Sequence, residues 1–201
     1  VFGLWTLAQR SWDRMPWVII DFKRDKEIGK IPNLQEIDID ARLPKHAGLY
    51  VVRPTIDELD DGKVTDLLLR IWDRENTGVF LDEGYMLKPL DRGLRTVLTQ
   101  GRSKRVPVIA LSQRPAWVSP FLLSESEFLT CFYLMHPADG DRMREWMPLD
   151  DNGGDPAQLR DRHSYWYQRP GREFHSLSAC PPIPQIMEMF AARQPKRRFW
   201  L

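Results

Sequence analysis

The chain has 201 residues, 29 basic and 28 acidic, with 42% hydrophobic and 11% aromatic residues. That length supports one substantial domain, or one with a small appendage, and the composition excludes a disordered or fibrous chain. A net charge of +1 excludes a global field that draws nucleic acid, so any DNA contact must be a local patch.

No apolar stretch reaches the length of a membrane span and no signal peptide is visible. Cys131 and Cys180 are far apart and read as reduced thiols of a cytosolic protein. His46, His136, His163 and His175 show no metal-ligand spacing with the cysteines, which argues against a zinc-type metalloenzyme. They support no Ser-His-Asp arrangement either.

In chain order, Phe2, Trp5, Ala8 and Trp12 recur at helical spacing and predict a helix within residues 1–12, ended before Pro16. Residues 17–22 are apolar and β-branched up to Asp21 and Phe22, a buried strand with an acid at its end. Residues 23–45 read as irregular, with turns at Gly29 and Pro32. A second strand is expected over 49–53, stopped by Pro54. Residues 56–74 read as one helix with a stripe of Val64, Leu67, Leu68, Ile71 and Trp72.

Residues 78–83, Gly-Val-Phe-Leu-Asp-Glu, form an apolar run that ends in two acids. Such a run is a strand buried until its carboxyl end, and two adjacent carboxylates there need water or a cation. Next, Leu90, Leu94, Val97 and Leu98 predict a helix that also carries Arg92, Arg95, Arg102 and Arg105. Strands are expected over 106–112, closed by Gln113-Arg114-Pro115, and over 128–135, then a short helix over 139–146. Residues 153–156 form a plausible joint, followed by a hairpin over 163–168 and 173–178. The last nine residues hold four basic side chains, two aromatics and no acid.

Apolar strands alternating with helices predict an α/β fold: a mostly parallel sheet, covered on both faces, whose ligand sits at the strand carboxyl ends. Asp21, Asp82, Glu83 and Gln113 all fall at such ends. Adjacent acids of this kind suit Mg²⁺-nucleotide chemistry, one holding the metal and the other the attacking water.

Three stretches in order, Val-Ile-Ile-Asp-Phe-Lys at 18–23, the strand ending Asp82-Glu83, and 107–115 ending Gln113-Arg114-Pro115, resemble the FtsK–HerA superfamily of DNA-pumping ATPases. The match covers roughly residues 1–135, and the short length is similar to genome-packaging ATPases of tailless, membrane-containing viruses. The resemblance implies a three-layer, RecA-like P-loop NTPase sheet over residues 1–150. Residues 151–201 would form a C-terminal hairpin and basic tail. It implies ATP and Mg²⁺ as ligands, with Asp82 on the metal, Asp21 beside the nucleotide, Glu83 activating water and Gln113 sensing the γ-phosphate. Arg102 takes the place of a basic residue that reaches a neighbour's site, with Arg105 and Arg114 as competitors. The partners implied are double-stranded DNA, read without regard to sequence, copies of the chain in a hexameric or pentameric ring, and a capsid vertex. The implied location is cytoplasmic, or the virion if the protein is viral.

The chain departs from that family in one respect. No G-x-x-x-x-G-K-[ST] occurs, since the Gly-Lys pairs at 29–30 and 62–63 lack both the upstream glycine and the following Ser or Thr. A helix and then a strand follow such a loop in P-loop proteins, as residues 1–22 do here. A natural protein extending upstream by about 20–30 residues would supply one strand and the loop. A non-hydrolysing, nucleotide-responsive scaffold subunit and a cellular motor of repair or conjugation remain the alternative functions.

Overall fold

The computed structural model describes residues 1–147, 165–169, 173–177, 179–193 and 195. In chain order the elements are α1 (Phe2–Ala8), β1 (Pro16–Asp21), β2 (Gln35–Glu36), β3 (Gly48–Val52), α2 (Ile56–Asp60), α3 (Lys63–Arg74) and β4 (Gly78–Asp82). There follow α4 (Arg92–Gln100), β5 (Val108–Ala110), α5 (Pro120–Ser124), β6 (Leu129–Cys131), α6 (Pro137–Arg144), β7 (Tyr165–Arg169), β8 (Glu173–Leu177) and α7 (Ile183–Ala191).

β1 to β5 form one sheet in the order β2-β3-β1-β4-β5, and every pairing in it is parallel. Side chains alternate between the faces of a strand, so each apolar strand divides its residues between two cores. Val18, Ile20, Val79 and Leu81 join Val64, Leu67, Leu68 and Ile71 of α3 and Leu94 and Val97 of α4 on one face. Trp17, Ile19 and Phe80 join Leu4 and Leu7 of α1 and Ile186 and Phe190 of α7 on the other. The expected α/β sheet covered on both faces is therefore the observed fold. Among the described residues β5 is the last strand on its side of the sheet, and its three residues are half-buried where β1 and β3 are buried throughout.

The structure corrects several local expectations. The helix read over 56–74 is two helices, because Thr55 closes a capping box with Glu58 around α2. Gly62, at φ 78°, then turns the chain into α3. α4 ends at Gln100, so Arg102 and Arg105 lie in the turn after it, not on the helix. α3 and α4 pack closely because Gly93 has no Cβ; one built there would stand 2.5 Å from the Thr65 carbonyl oxygen. The strand read over 128–135 shortens to β6 and leaves the parallel sheet. It pairs antiparallel with β7 of the expected hairpin, and β7 with β8, in a second sheet.

After the hairpin, α7 returns to the first sheet and packs against α1. Arg193, first of the basic tail, donates from Nη1 to the Ala8 and Arg10 carbonyls at 2.8 Å and pairs with Asp13 at 2.8 Å. The Ala8 carbonyl is at the unsatisfied end of α1 and that of Arg10 lies just beyond it, so this arginine closes a helix. The joint read at 153–156 and the remaining basic residues of the tail lie outside the described residues. Cys131 is buried, Cys180 half-buried, and no disulfide joins them.

Candidate active site

β1 and β4 are neighbours in parallel register, with Ile20 opposite Leu81 and Asp21 opposite Asp82. β1 is buried through Asp21 and β4 as far as Asp82, which is half-buried, so the two acids stand side by side at the carboxyl edge of the sheet. β5 brings the segment after it to the same edge, where the Leu111 N–H donates to the Leu81 carbonyl at 2.9 Å and the Gly84 N–H to the Leu111 carbonyl at 2.6 Å. The first turn of α1 stands over this edge too, because a Cβ at Gly3 would meet the Leu111 side chain.

Glu83 occupies the left-handed region, φ 66° and ψ 63°, which costs a non-glycine residue about 1 kcal/mol or more. That turn directs its side chain inward, where only 4% of it is exposed. Both carboxylate oxygens are taken. Oε2 accepts the Gln113 backbone N–H at 3.2 Å, and Oε1 pairs with the Lys23 ammonium. Burial by itself would lower the Lys23 pKa, but the hydrogen bond and charge of Glu83 outweigh it and raise the pKa above its ordinary value. Gln113 thus meets Glu83 through its backbone while the residue itself is exposed at the edge.

Asp21 is fully buried with both oxygens committed, Oδ1 to the Asp25 N–H at 2.9 Å and Oδ2 to Arg53 Nε at 3.1 Å. Its carboxylate therefore fixes the loop after β1 and the end of β3, beside the edge acids. Asp82 differs, having no ion-pair partner among the described residues. Burial, and then the like charges of Glu83, Asp21 and Asp25, push its pKa up to about 6, against a smaller opposing pull from Lys23.

A carboxyl group in that position fits a divalent cation, which would remove the charge repulsion at once. Among the described residues no group of three or more His, Cys, Asp or Glu forms a complete metal cage. Mg²⁺ does not need one, since it commonly binds one or two carboxylates plus phosphate and water. A phosphate cradle, by contrast, has no motif within these 201 residues.

The arginines separate cleanly. Arg102 precedes β5 and so lies at the amino edge of the sheet, opposite Glu83, with 93% of its side chain exposed and a 3.5 Å approach to the exposed Glu127. Arg105 shares that turn at φ 54°. Arg114 is on the acid edge, where its Nε meets the buried Asp139 at 3.1 Å and its guanidinium lies 4.1 Å from the Trp117 ring centre. Asp139 also accepts the Ala116 N–H at 2.9 Å, tying the segment after β5 to α6. An open groove of about 610 Å³ runs beside the edge, lined among others by Tyr85, Lys88, Trp117 and Arg142.

Two participants were not legible as such in the sequence. Lys23 stood only as the last residue of the stretch at 18–23 and Arg53 as the end of a strand, neither with a role; the structure sets each against an acid of the edge. The available signal was the basic residue just past each apolar run, but its partner depends on the strand order β3-β1-β4.

A parallel α/β sheet with helices on both faces and acids gathered at its carboxyl edge defines a class, the RecA-like core of P-loop NTPases. Comparison with models of known protein families gives no match. The chain is 40% identical over 148 residues to the DNA packaging ATPase P9 of Enterobacteria phage PRD1, across 74% of this chain and 64% of P9. It is homologous to the genome-packaging ATPases of the FtsK–HerA superfamily, and spans under two thirds of the length of that relative. Among solved structures, the genome packaging NTPase B204 of Sulfolobus turreted icosahedral virus 2 shares the fold. Its complex with AMPPCP superposes with TM-score 0.55 at 13% identity, over 85% of this chain and all of B204. The AMP complex gives 0.54 at 13%, over 84% and 99%.

Proposed function

We propose that the chain forms the greater part of an ATP-driven motor that translocates double-stranded DNA, and that its task is to package a viral genome. The observation that carries this is the meeting of Asp82, Glu83 and the Gln113 backbone at one edge of a parallel sheet. The 40% identity to a DNA packaging ATPase supports the same reading.

Asp82 would hold Mg²⁺, which when bound offsets the charge of the nucleotide phosphates. Glu83 would take a proton at Oε1 from the water that attacks the γ-phosphorus, the bond to the β,γ-bridging oxygen breaking to leave ADP and phosphate. Gln113 would meet the γ-phosphate or that water. Its movement would pass through Arg114 and Asp139 to α6, because these are joined by hydrogen bonds. Asp21 would keep the edge in register for the nucleotide. Arg102, exposed on the opposite edge, would enter the site of the next subunit in a ring of five or six. DNA would be gripped by phosphate contacts independent of sequence.

ATP binding requires a phosphate loop leading into α1. Among the described residues no strand pairs with the outer side of β5, where the strand before such a loop would fit, and the first turn of α1 stands beside the acids. Residues 1–150, with α7 returning to them, would then be the ATPase core, and the rest of 151–201 a hairpin and tail facing a capsid vertex or a neighbour, so that the motor is virion-associated. No described helix is long and apolar enough to cross a membrane.

A DNA-stimulated ATPase assay on the full-length natural chain tests this. Glu83→Gln should keep ATP binding and lower turnover about a hundredfold or more. Undiminished hydrolysis in that variant would remove Glu83 from the role of base. ATP binding without any DNA-stimulated hydrolysis in the wild type would favour a nucleotide-responsive scaffold.

A further inference from the structure

Glu83 as the structure holds it cannot yet serve as a base. Each carboxylate oxygen keeps a second lone pair beside one hydrogen bond, but only 4% of this side chain is exposed, with the Gln113 backbone N–H against Oε2 and the Lys23 ammonium against Oε1. In so closed a site one of these two groups must draw back to make room for a water. The Gln113 donor is a backbone group anchored between Leu111, tied to β4, and Arg114, tied to Asp139. The Lys23 donor is the end of a long side chain, 40% exposed, in the turn just after β1. Lys23 is the movable partner.

What draws a lysine from a buried carboxylate is a denser anion at the same edge. The terminal phosphate of a nucleoside triphosphate carries more charge and more acceptor oxygens than a carboxylate, and an ammonium binds such a group as a point charge. We infer that Lys23 is a ligand of the γ-phosphate and tells a triphosphate from a diphosphate: it leaves Glu83 Oε1 for the γ-phosphate when ATP is bound and returns when ADP remains. The inference rests on the proposed ATPase site, and it adds the event that frees the base. Without nucleotide, or with ADP, Glu83 is latched and no water is activated. With ATP, one exchange of partners both holds the γ-phosphate and opens Oε1 to the attacking water.

Because one ammonium is shared by two anions, removing the first must strengthen binding to the second. Nucleotide affinity, measured by titration calorimetry under non-hydrolysing conditions on the full-length natural chain, reads this directly. Three proteins suffice: wild type, Glu83→Gln, and the double variant Lys23→Met with Glu83→Gln. The double variant leaves no buried charge unpaired, so folding does not obscure it.

The expected result is that Glu83→Gln binds ATP tighter than wild type, on the order of tenfold, with ADP affinity unchanged. The gain should vanish when Lys23 is also replaced. Unchanged or weaker ATP affinity in Glu83→Gln, or an equal gain with and without Lys23, overturns the exchange. Loss of turnover in Glu83→Gln would in that case still leave Glu83 as the base. Failure of all three proteins to bind ATP would overturn both the exchange and the ATPase reading beneath it.

Discussion

Asp82 holds its proton up to about pH 6 because burial, and then the charges of Glu83, Asp21 and Asp25, disfavour its carboxylate form. An unfolded aspartate releases its proton near 3.8. Between those values the native state binds a proton that the unfolded state has lost, so stability falls as pH rises through this window. Residual solvent screening holds the effect to about 1–2 kcal/mol. Asp82→Asn should therefore melt higher than wild type at pH 7 without divalent metal, and alike near pH 4. Thermal melts of both proteins across that range check this, and identical pH slopes would mean that Asp82 is not strained by its neighbours. Mg²⁺ should raise the wild-type melting temperature at pH 7 and not that of the variant, since the cation supplies what the amide no longer needs.

Among the elements, α7 shows how far the end of the chain is committed to the first sheet. Ile186 and Phe190 are fully buried against α1 and the face of the sheet that carries Trp17 and Ile19. Truncating a buried phenylalanine removes its transfer energy and leaves a cavity, about 3–5 kcal/mol in all. Phe190→Ala should lower stability to denaturant by that amount, whereas Gln185→Ala, on the exposed side of the same helix, should change it by less than about 0.5 kcal/mol. Equal effects of the two would mean that α7 does not belong to this core. Arg193 extends the same bond between the two ends of the chain by closing α1.

For the whole molecule, the position of Arg102 sets what an assembly must do. The five residues of β4 span about 17 Å between the two edges of the sheet, so an arginine at the amino edge cannot reach the acids of its own chain. Its exposed approach to Glu127 contributes little and leaves it available. If Arg102 acts, it acts on a neighbour. Arg102→Ala and Glu83→Gln should each be inactive alone, while a mixture of the two should recover part of the wild-type turnover. Recovery would come from interfaces at which an intact Glu83 faces an intact Arg102. No recovery at any mixing ratio would leave Arg114, built into the acid edge, as the cation to test next.

Much of the framework was legible in the residues because parallel strands buried on both faces have no polar side to disguise them. The runs ending at Asp21 and Asp82 announced both the strands and the edge where their acids gather. The segment closing on Gln113 pointed to the same edge, since all strands of a parallel sheet end on one side. Pairings between distant segments were not legible, because they depend on strand order and on where each helix stops. Lys23 meets Glu83 only because β1 lies beside β4, Arg102 is set apart from the acids because the turn before β5 falls at the amino edge of the sheet, and β6 joins the hairpin instead of the parallel sheet. Local pattern determined which residues are buried and which emerge; tertiary packing decided which emerging charges face each other, because that depends on contacts across sixty residues of chain and not on any spacing within it.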